Sequence, residues 1–243
     1  MRYARFQDNS GSVQEGTIVD GGINTENRLY DPADVTILPP CKPTKVVCVG
    51  LNYADHIEET GQETPSRPKL FLKPPNTIAG HEETIELLPE KERIDFEAEL
   101  GVVIGKRCKN ASVEKAMGFV RGFTCLNDIS NRDDQRIEQN WVRGKAFDRS
   151  CPIGPYISSA EEVLPDAKIT LKQNGKVRQK SSIDQMIFSV PELIEEISSF
   201  MTLEAEDLIA TGTTSGVGPI QHKDVIEVHI EGVGTLVNYF RIP

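Results

Sequence analysis

No run of 18 apolar residues occurs anywhere in the 243-residue sequence, so no segment reads as a membrane-spanning helix. The opening "MRYARFQDNSG" lacks the apolar core of a secretion signal, and the expectation is a cytoplasmic protein. Cysteine is sparse and badly placed for cross-linking. The five residues, at positions 41, 48, 108, 125 and 151, are odd in number and form no C-x-x-C pair, which argues against a zinc cluster and a disulfide framework. Cys48 and Cys125 lie in apolar, strand-like runs and read as buried, inert thiols. Positive charge is also short. There are 27 Lys and Arg against 37 Asp and Glu, a net charge of −10, so neither nucleic acid nor an anionic membrane is expected as the main partner. A small anionic substrate remains compatible, because a bound metal ion reverses the local field. No internal repeat and no low-complexity tract is present.

The chain has the length of one sizeable domain with a small appendage. Residues 1–41 read as a small β unit, with "RYARF" and "EGTIV" as strands and "ILPPCKP" as a stiff connector. The main body, residues 45–243, begins with the apolar strand "TKVVCVG". In "LNYADHIEET", Asn52 is a candidate helix N-cap with Asp55 three residues on. The polar "GQETPSRP" that follows reads as a mobile loop. Asn174-Gly175, between two alternating runs in "KITLKQNGKVRQK", predicts a tight type I′ hairpin. "SVPELIEEISSFM" predicts a helix capped by Ser189, with Pro191 in its first turn and Leu193, Ile194, Ile197, Phe200 and Met201 as its apolar stripe. Strands outnumber helices and do not alternate with them regularly, so the expected class is β-rich α+β rather than a doubly wound sheet.

Three places carry unusual chemistry. In "RIDFEAELGVVIG", residues 93–105, Asp95, Glu97 and Glu99 alternate with Phe96, Ala98 and Leu100. Residues two apart on a strand share a face, about 6.5 to 7 Å from each other. Glu97 and Glu99 therefore form either the wet side of a half-buried strand or a pair converging on a cation, since like charges that close repel without a positive partner. Asp128 ends an apolar strand in "LNDISNRDDQ" and is either a turn residue or a third carboxylate. His56 and Glu59 are three apart on the predicted helix, a surface pair or a base with its orienting acid. "TGTTSGVGP", residues 211–219, is not G-x-G-x-x-G and no helix pattern follows it, which excludes a dinucleotide loop. It is either a plain loop or a set of backbone N–H groups facing an anion.

The ordered series "VGLNYADH", "FLKPP", "DFEAELGVVIGK", "LNDISNRDDQ", "RGKAFDRSCPIGP", "NGKVRQ" and "ATGTTSGVGP" resembles the fumarylacetoacetate hydrolase superfamily, over about residues 45–243. It is most similar to the small acylpyruvate hydrolase and oxaloacetate decarboxylase branch. The resemblance implies a mixed β-roll of several sheets with a small N-terminal extension, and a homodimer. By that resemblance Glu97, Glu99 and Asp128 match three ligands of one divalent ion. His56 and Glu59 match a mobile catalytic dyad, with Lys145 joining them as a catalytic residue. Arg132, Gln135, Gly212 and Thr213 match positions beside the substrate. All-oxygen ligands suit Mg²⁺ or Mn²⁺ better than Zn²⁺. The favoured expectation is hydrolysis of a C–C bond in a 2,4-dioxo acid of acylpyruvate or fumarylpyruvate type, giving pyruvate and a carboxylic acid. Decarboxylation of oxaloacetate and isomerisation of hydroxymuconate-type dioic acids from aromatic degradation use the same site, and a metal-binding protein without activity is the reading from another class. Two departures bear on the substrate more than on the metal: Thr214 stands where many members have Pro, and "AGHEET" at 79–84 replaces a turn richer in Gly and Pro.

Overall fold

A computed structural model describes residues 1–243. Its largest sheet has 12 strands. Its central path runs Arg2–Gln7, Cys151–Ser158, Val120–Asn127, Ala98–Ile104, Leu208–Thr213, Val46–Gly50 and Lys69–Lys73. All but one of these pairings are antiparallel; Leu208–Thr213 runs parallel to Val46–Gly50. A five-stranded sheet, Lys176–Ser182, Lys168–Gln173, Val225–Ile230, Gly234–Arg241 and Thr84–Glu86, folds against it. A third, three-stranded sheet joins Ser130–Asn131, Ile94–Phe96 and Gly218–Pro219. Several mixed sheets around a shared core make this the expected β-rich roll.

The helices are short: α1 Ala54–Thr60, α2 Val113–Ala116, α3 Arg132–Ile137, α4 Val142–Lys145 and α5 Val190–Phe200. At the start of α5, Ser189 and Glu192 form a reciprocal capping box, which satisfies N–H groups that the first turn leaves free. Leu193, Ile194 and Ile197 are buried and Met201, half-buried, packs against the main core, so of the expected apolar stripe only Phe200 is turned to solvent. Asn174 and Gly175 have positive φ at the hairpin tip, as the type I′ turn requires. Asn52 does not cap α1; that place belongs to Tyr53. The Asn52 amide instead donates to the carbonyls of Phe188 and Thr211 and accepts from Phe188 N. A fully buried amide needs such partners, and these tie the turn before α1 to two distant segments.

The main core lies between the large and five-stranded sheets and includes Val47, Leu100, Val102, Ile169, Ile197, Ile209 and Val228. In residues 1–41, Ala4, Phe6, Ile23 and Tyr30 form a small cluster of their own, while Arg2 and Tyr3 pair with Ser158 and Ile157 of the large sheet. All five cysteines are buried and unpaired. Burial pushes the thiols of Cys125 and Cys151 up to about 12, as inert thiols require. No helix is long and apolar enough to cross a membrane.

Candidate active site

The acidic run at 95–99 is not one continuous strand. Ile94–Phe96 belongs to the three-stranded sheet and Ala98–Ile104 to the large one, with the chain changing sheets at Glu97. Side chains hold that crossing. Asn127 Oδ1 accepts from Glu97 N at 2.9 Å, and Gln179 Oε1 accepts from Ala98 N at 2.9 Å. Both faces of the run are buried, so its acidic side is not a wet one; Glu97 and Glu99 are 6% and 2% exposed. Asp128, at the end of Val120–Asn127, is fully buried beside them. One oxygen from each of these three carboxylates lies within 4.8 Å of the others.

Buried carboxylates this close need counter-charges. Lys145 Nζ reaches Glu97 at 2.8 Å, Asp128 at 2.7 Å and Ser130 Oγ at 2.5 Å, which uses its three donors. Burial alone would lower its pKa, but the Asp128 and Glu97 carboxylates hold it above the ordinary lysine range. Arg132 donates to Asp95, Glu97 and Gln135. Arg93 holds the other side of Asp95. Lys73 Nζ, fully buried, lies 2.8 Å from Asp128 Oδ1. That contact is an ion pair by distance without hydrogen-bond alignment, so Asp128 Oδ1 is left with no hydrogen bond.

Burial opposes ionisation of Glu97, but Lys145 and Arg132 keep its carboxyl well below the usual range. Glu99 is the opposite case. Burial, then the charges of Asp128 and Glu97, push it well up, and its partner is the backbone N–H of Gly212 at 2.8 Å. An all-oxygen donor set holding one such carboxyl and an Asp oxygen without a hydrogen bond fits a hard divalent cation.

The triad lies on a cavity of about 620 Å³, also lined by His56, Glu59, Arg132, Gln135, Lys145 and Thr213. Sequence-distant candidates are thus brought together. His56 Nδ1 stands 3.4 Å from Glu59 Oε2 on α1. Glu59 also accepts from Gly216 N, and Ser215 Oγ donates to Asp55, so α1 is latched to the Gly-rich loop. Thr213 Oγ1 donates to Ala98 O and accepts from Gln179. Gly212 does not line the cavity; its N–H is turned to Glu99. Its φ of +98°, and the 2.9 Å at which an added Cβ would meet Asn52 Cβ, leave room only for glycine. Thr214 is buried against Gln179, and residues 79–84 do not line the cavity. These two departures from the resembled pattern therefore lie outside its wall.

Two positioning residues escape a reading of the sequence alone. Gln179 joins the metal-facing chain crossing to the Gly-rich loop: its oxygen takes Ala98 N–H while its nitrogen donates to Thr213 Oγ1 and Thr214 O. Lys73 donates to Ser150 O, Ser150 Oγ and Ile129 O. Lys73 falls in "FLKPP" and Gln179 in "NGKVRQ", two motifs of the resemblance to which no role is attached.

The family profile described as Fumarylacetoacetate (FAA) hydrolase C-terminal matches residues 45–241. The chain belongs to that family. An uncharacterized protein of Pyrococcus abyssi is 48% identical over 200 residues, covering 80% of this chain and 89% of its own. The mitochondrial oxaloacetate tautomerase FAHD2A of Bos taurus is 40% identical over 234 residues, 91% of this chain and 74% of the relative. Among solved structures, 5-carboxymethyl-2-hydroxymuconate delta-isomerase from Mycobacterium smegmatis superposes with a TM-score of 0.91 at 36% identity, covering 100% of this chain and 99% of that one. The fumarylpyruvate hydrolase of Pseudomonas aeruginosa, in complex with Mn²⁺ and pyruvate, gives 0.77 at 33% identity over 86% and 92%. These fumarylacetoacetate hydrolase relatives are thus named as tautomerase, isomerase and hydrolase.

Proposed function

We propose that the protein is a divalent-metal-dependent enzyme acting on a small anionic 2-oxo acid, and that its reaction is keto–enol tautomerisation of an oxaloacetate-type substrate. The observation that carries the reading is the His56–Glu59 pair on the same cavity as three buried carboxylates. Glu97, Glu99 and Asp128 would hold Mg²⁺ or Mn²⁺, which would supply Lewis-acid stabilisation of the enolate. Glu59 holds the His56 Nδ1–H tautomer, which leaves Nε2 as the base, and it stabilises the imidazolium once a proton is taken. His56 removes the proton from the carbon beside the oxo group and returns it to oxygen, or runs the same transfer in reverse. Lys145, bonded to Glu97, Asp128 and Ser130, and Arg132, bonded to Asp95, Glu97 and Gln135, hold the triad in place. The 40% identity to an oxaloacetate tautomerase favours this reaction.

C–C hydrolysis of a 2,4-dioxo acid is the second reading, favoured by the likeness to a fumarylpyruvate hydrolase. There His56 would activate water rather than a C–H bond. Near-ultraviolet absorbance separates the two: tautomerisation moves the enol band to equilibrium, whereas cleavage removes it and releases a carboxylic acid. With Mg²⁺ or Mn²⁺ present, Glu59→Gln is expected to lower turnover by about 10²- to 10⁴-fold while metal affinity is kept. Full turnover in both Glu59→Gln and His56→Ala would sink this mechanism.

A further inference from the structure

The strand Lys69–Lys73 crosses the site with one face turned to it. Lys69, Phe71 and Lys73 are two apart and so share a face. Exposure falls along that face: Lys69 is exposed, Phe71 half-buried and Lys73 fully buried beside Asp128. At about 3.3 Å per residue, this face spans roughly 13 Å, from Lys69 and Phe71 on the cavity wall to Lys73 beside Asp128. Lys69 Nζ sits 4.5 Å from the centre of the Trp141 ring, Trp141 packs edge-on to Phe71 at 5.4 Å, and Phe71 lies 4.9 Å from Lys145 Nζ. Trp141 adopts a left-handed backbone, φ +56°, uncommon for a bulky residue, and both it and Lys69 line the cavity.

The cations of the cavity fall into two sets. Lys145, Arg132 and Arg93 are spent on Asp95, Glu97 and Asp128. Lys69 and Arg136 line the same cavity, yet neither forms an ion pair or hydrogen bond with any carboxylate of the chain. Arg132, the arginine the resemblance sets beside the substrate, already gives its Nε, Nη1 and Nη2 groups to Asp95, Gln135 and Glu97. We infer that Lys69 and Arg136, with Trp141 as backing, form a second anion subsite at the mouth that takes the far carboxylate of a 2-oxo dicarboxylate. The 2-oxo end then sits at the triad, and a chain ending in methyl leaves both mouth cations without an anion. This inference rests on the proposed 2-oxo acid reading and adds Lys69 and Arg136 as the residues that select a second carboxylate.

Binding calorimetry in Mn²⁺ tests the subsite apart from turnover. The probes are 2-oxoglutarate and 2-oxoadipate against 2-oxopentanoate and 2-oxohexanoate, which match them in length but end in methyl. The native protein is expected to favour the diacids by about tenfold, the scale of a charge-assisted hydrogen bond. Lys69→Met and Arg136→Met should each shrink that ratio, and the double variant should bring it near one. Equal affinity for both ends in the native protein, no binding of either diacid, or an undiminished preference in the double variant would overturn the subsite. Failure of the proposed reaction is seen separately, as no conversion of oxaloacetate or acylpyruvates by the native protein with either metal.

Discussion

Replacing Lys73 by methionine removes an ammonium group while keeping nearly the same side-chain length. Lys73 is fully buried, stands 2.8 Å from Asp128 Oδ1, and donates to Ser150 O at 2.8 Å, Ser150 Oγ at 3.0 Å and Ile129 O at 3.3 Å. Removing one partner of a buried ion pair costs about 3–5 kcal/mol. Asp128 keeps Lys145 at 2.7 Å, which argues for the lower end, about 3 kcal/mol. For a chain of this size each kcal/mol moves the melting temperature by about 2–4 °C, so the expected drop is about 6–12 °C, read by circular dichroism or calorimetry. The sign of a second effect differs. Without the ion, Asp95, Glu97, Glu99 and Asp128 face Lys73, Arg93, Arg132 and Lys145. Taking one cation away makes the cluster more negative and should strengthen divalent-ion binding. Added Mn²⁺ should therefore raise the melting temperature of Lys73→Met more than that of the native protein, by mass action. A drop below about 2 °C would mean that Lys73 carries no buried pair of consequence. A Mn²⁺ gain no larger than in the native protein would mean that its charge is not felt at the triad.

Three further outcomes follow from the same geometry. Glu97→Gln should abolish Mn²⁺ binding in calorimetry together with activity, since it removes an oxygen anion that Lys145 and Arg132 hold in place. Gly212→Ala meets Asn52 Cβ at 2.9 Å and Val49 O at 3.1 Å in a positive-φ position; it should cost more than about 1 kcal/mol of stability in a denaturant melt and weaken Mn²⁺ binding by displacing the N–H that Glu99 accepts. Asp207 accepts from Thr44 N, Thr44 Oγ1, Lys45 N and Glu204 N and pairs with Lys45. Burial opposes its ionisation, but the Lys45 contact and these donors hold its carboxyl below the usual carboxylate range. A depressed folded pKa gives stability that is present above the unfolded value and lost as pH falls through the folded one. Asp207→Asn should therefore cost about 1–3 kcal/mol near neutral pH, with the gap from the native protein closing below about pH 4; a gap that does not change with pH refutes the assignment.

What the order of residues settles is what the chain's own pitch settles. The hairpin at Asn174-Gly175 and the Ser189–Glu192 cap of α5 each depend on residues within a few positions of one another, so their local signals suffice. The alternation at 95–99 likewise marks Glu97 and Glu99 as a pair, and the ordered motifs carry the family. The remainder was decided by contacts across the chain. Whether the acidic face was wet or buried depended on the change of sheets at Glu97, held by Asn127 and by Gln179, 81 residues from Ala98. Phe200 continues the helical stripe in sequence but is exposed, while its neighbour Met201 packs against the core. Asn52 has the right spacing for a cap, yet buried carbonyls 136 and 159 residues away claim its amide. The allocation of cations was beyond local reading too. Lys69, Lys73, Arg132, Arg136 and Lys145 look equivalent as letters, but only some end within ion-pair distance of a buried carboxylate. Coulomb energy and desolvation depend on separation and burial in space, and neither is a function of spacing along the chain.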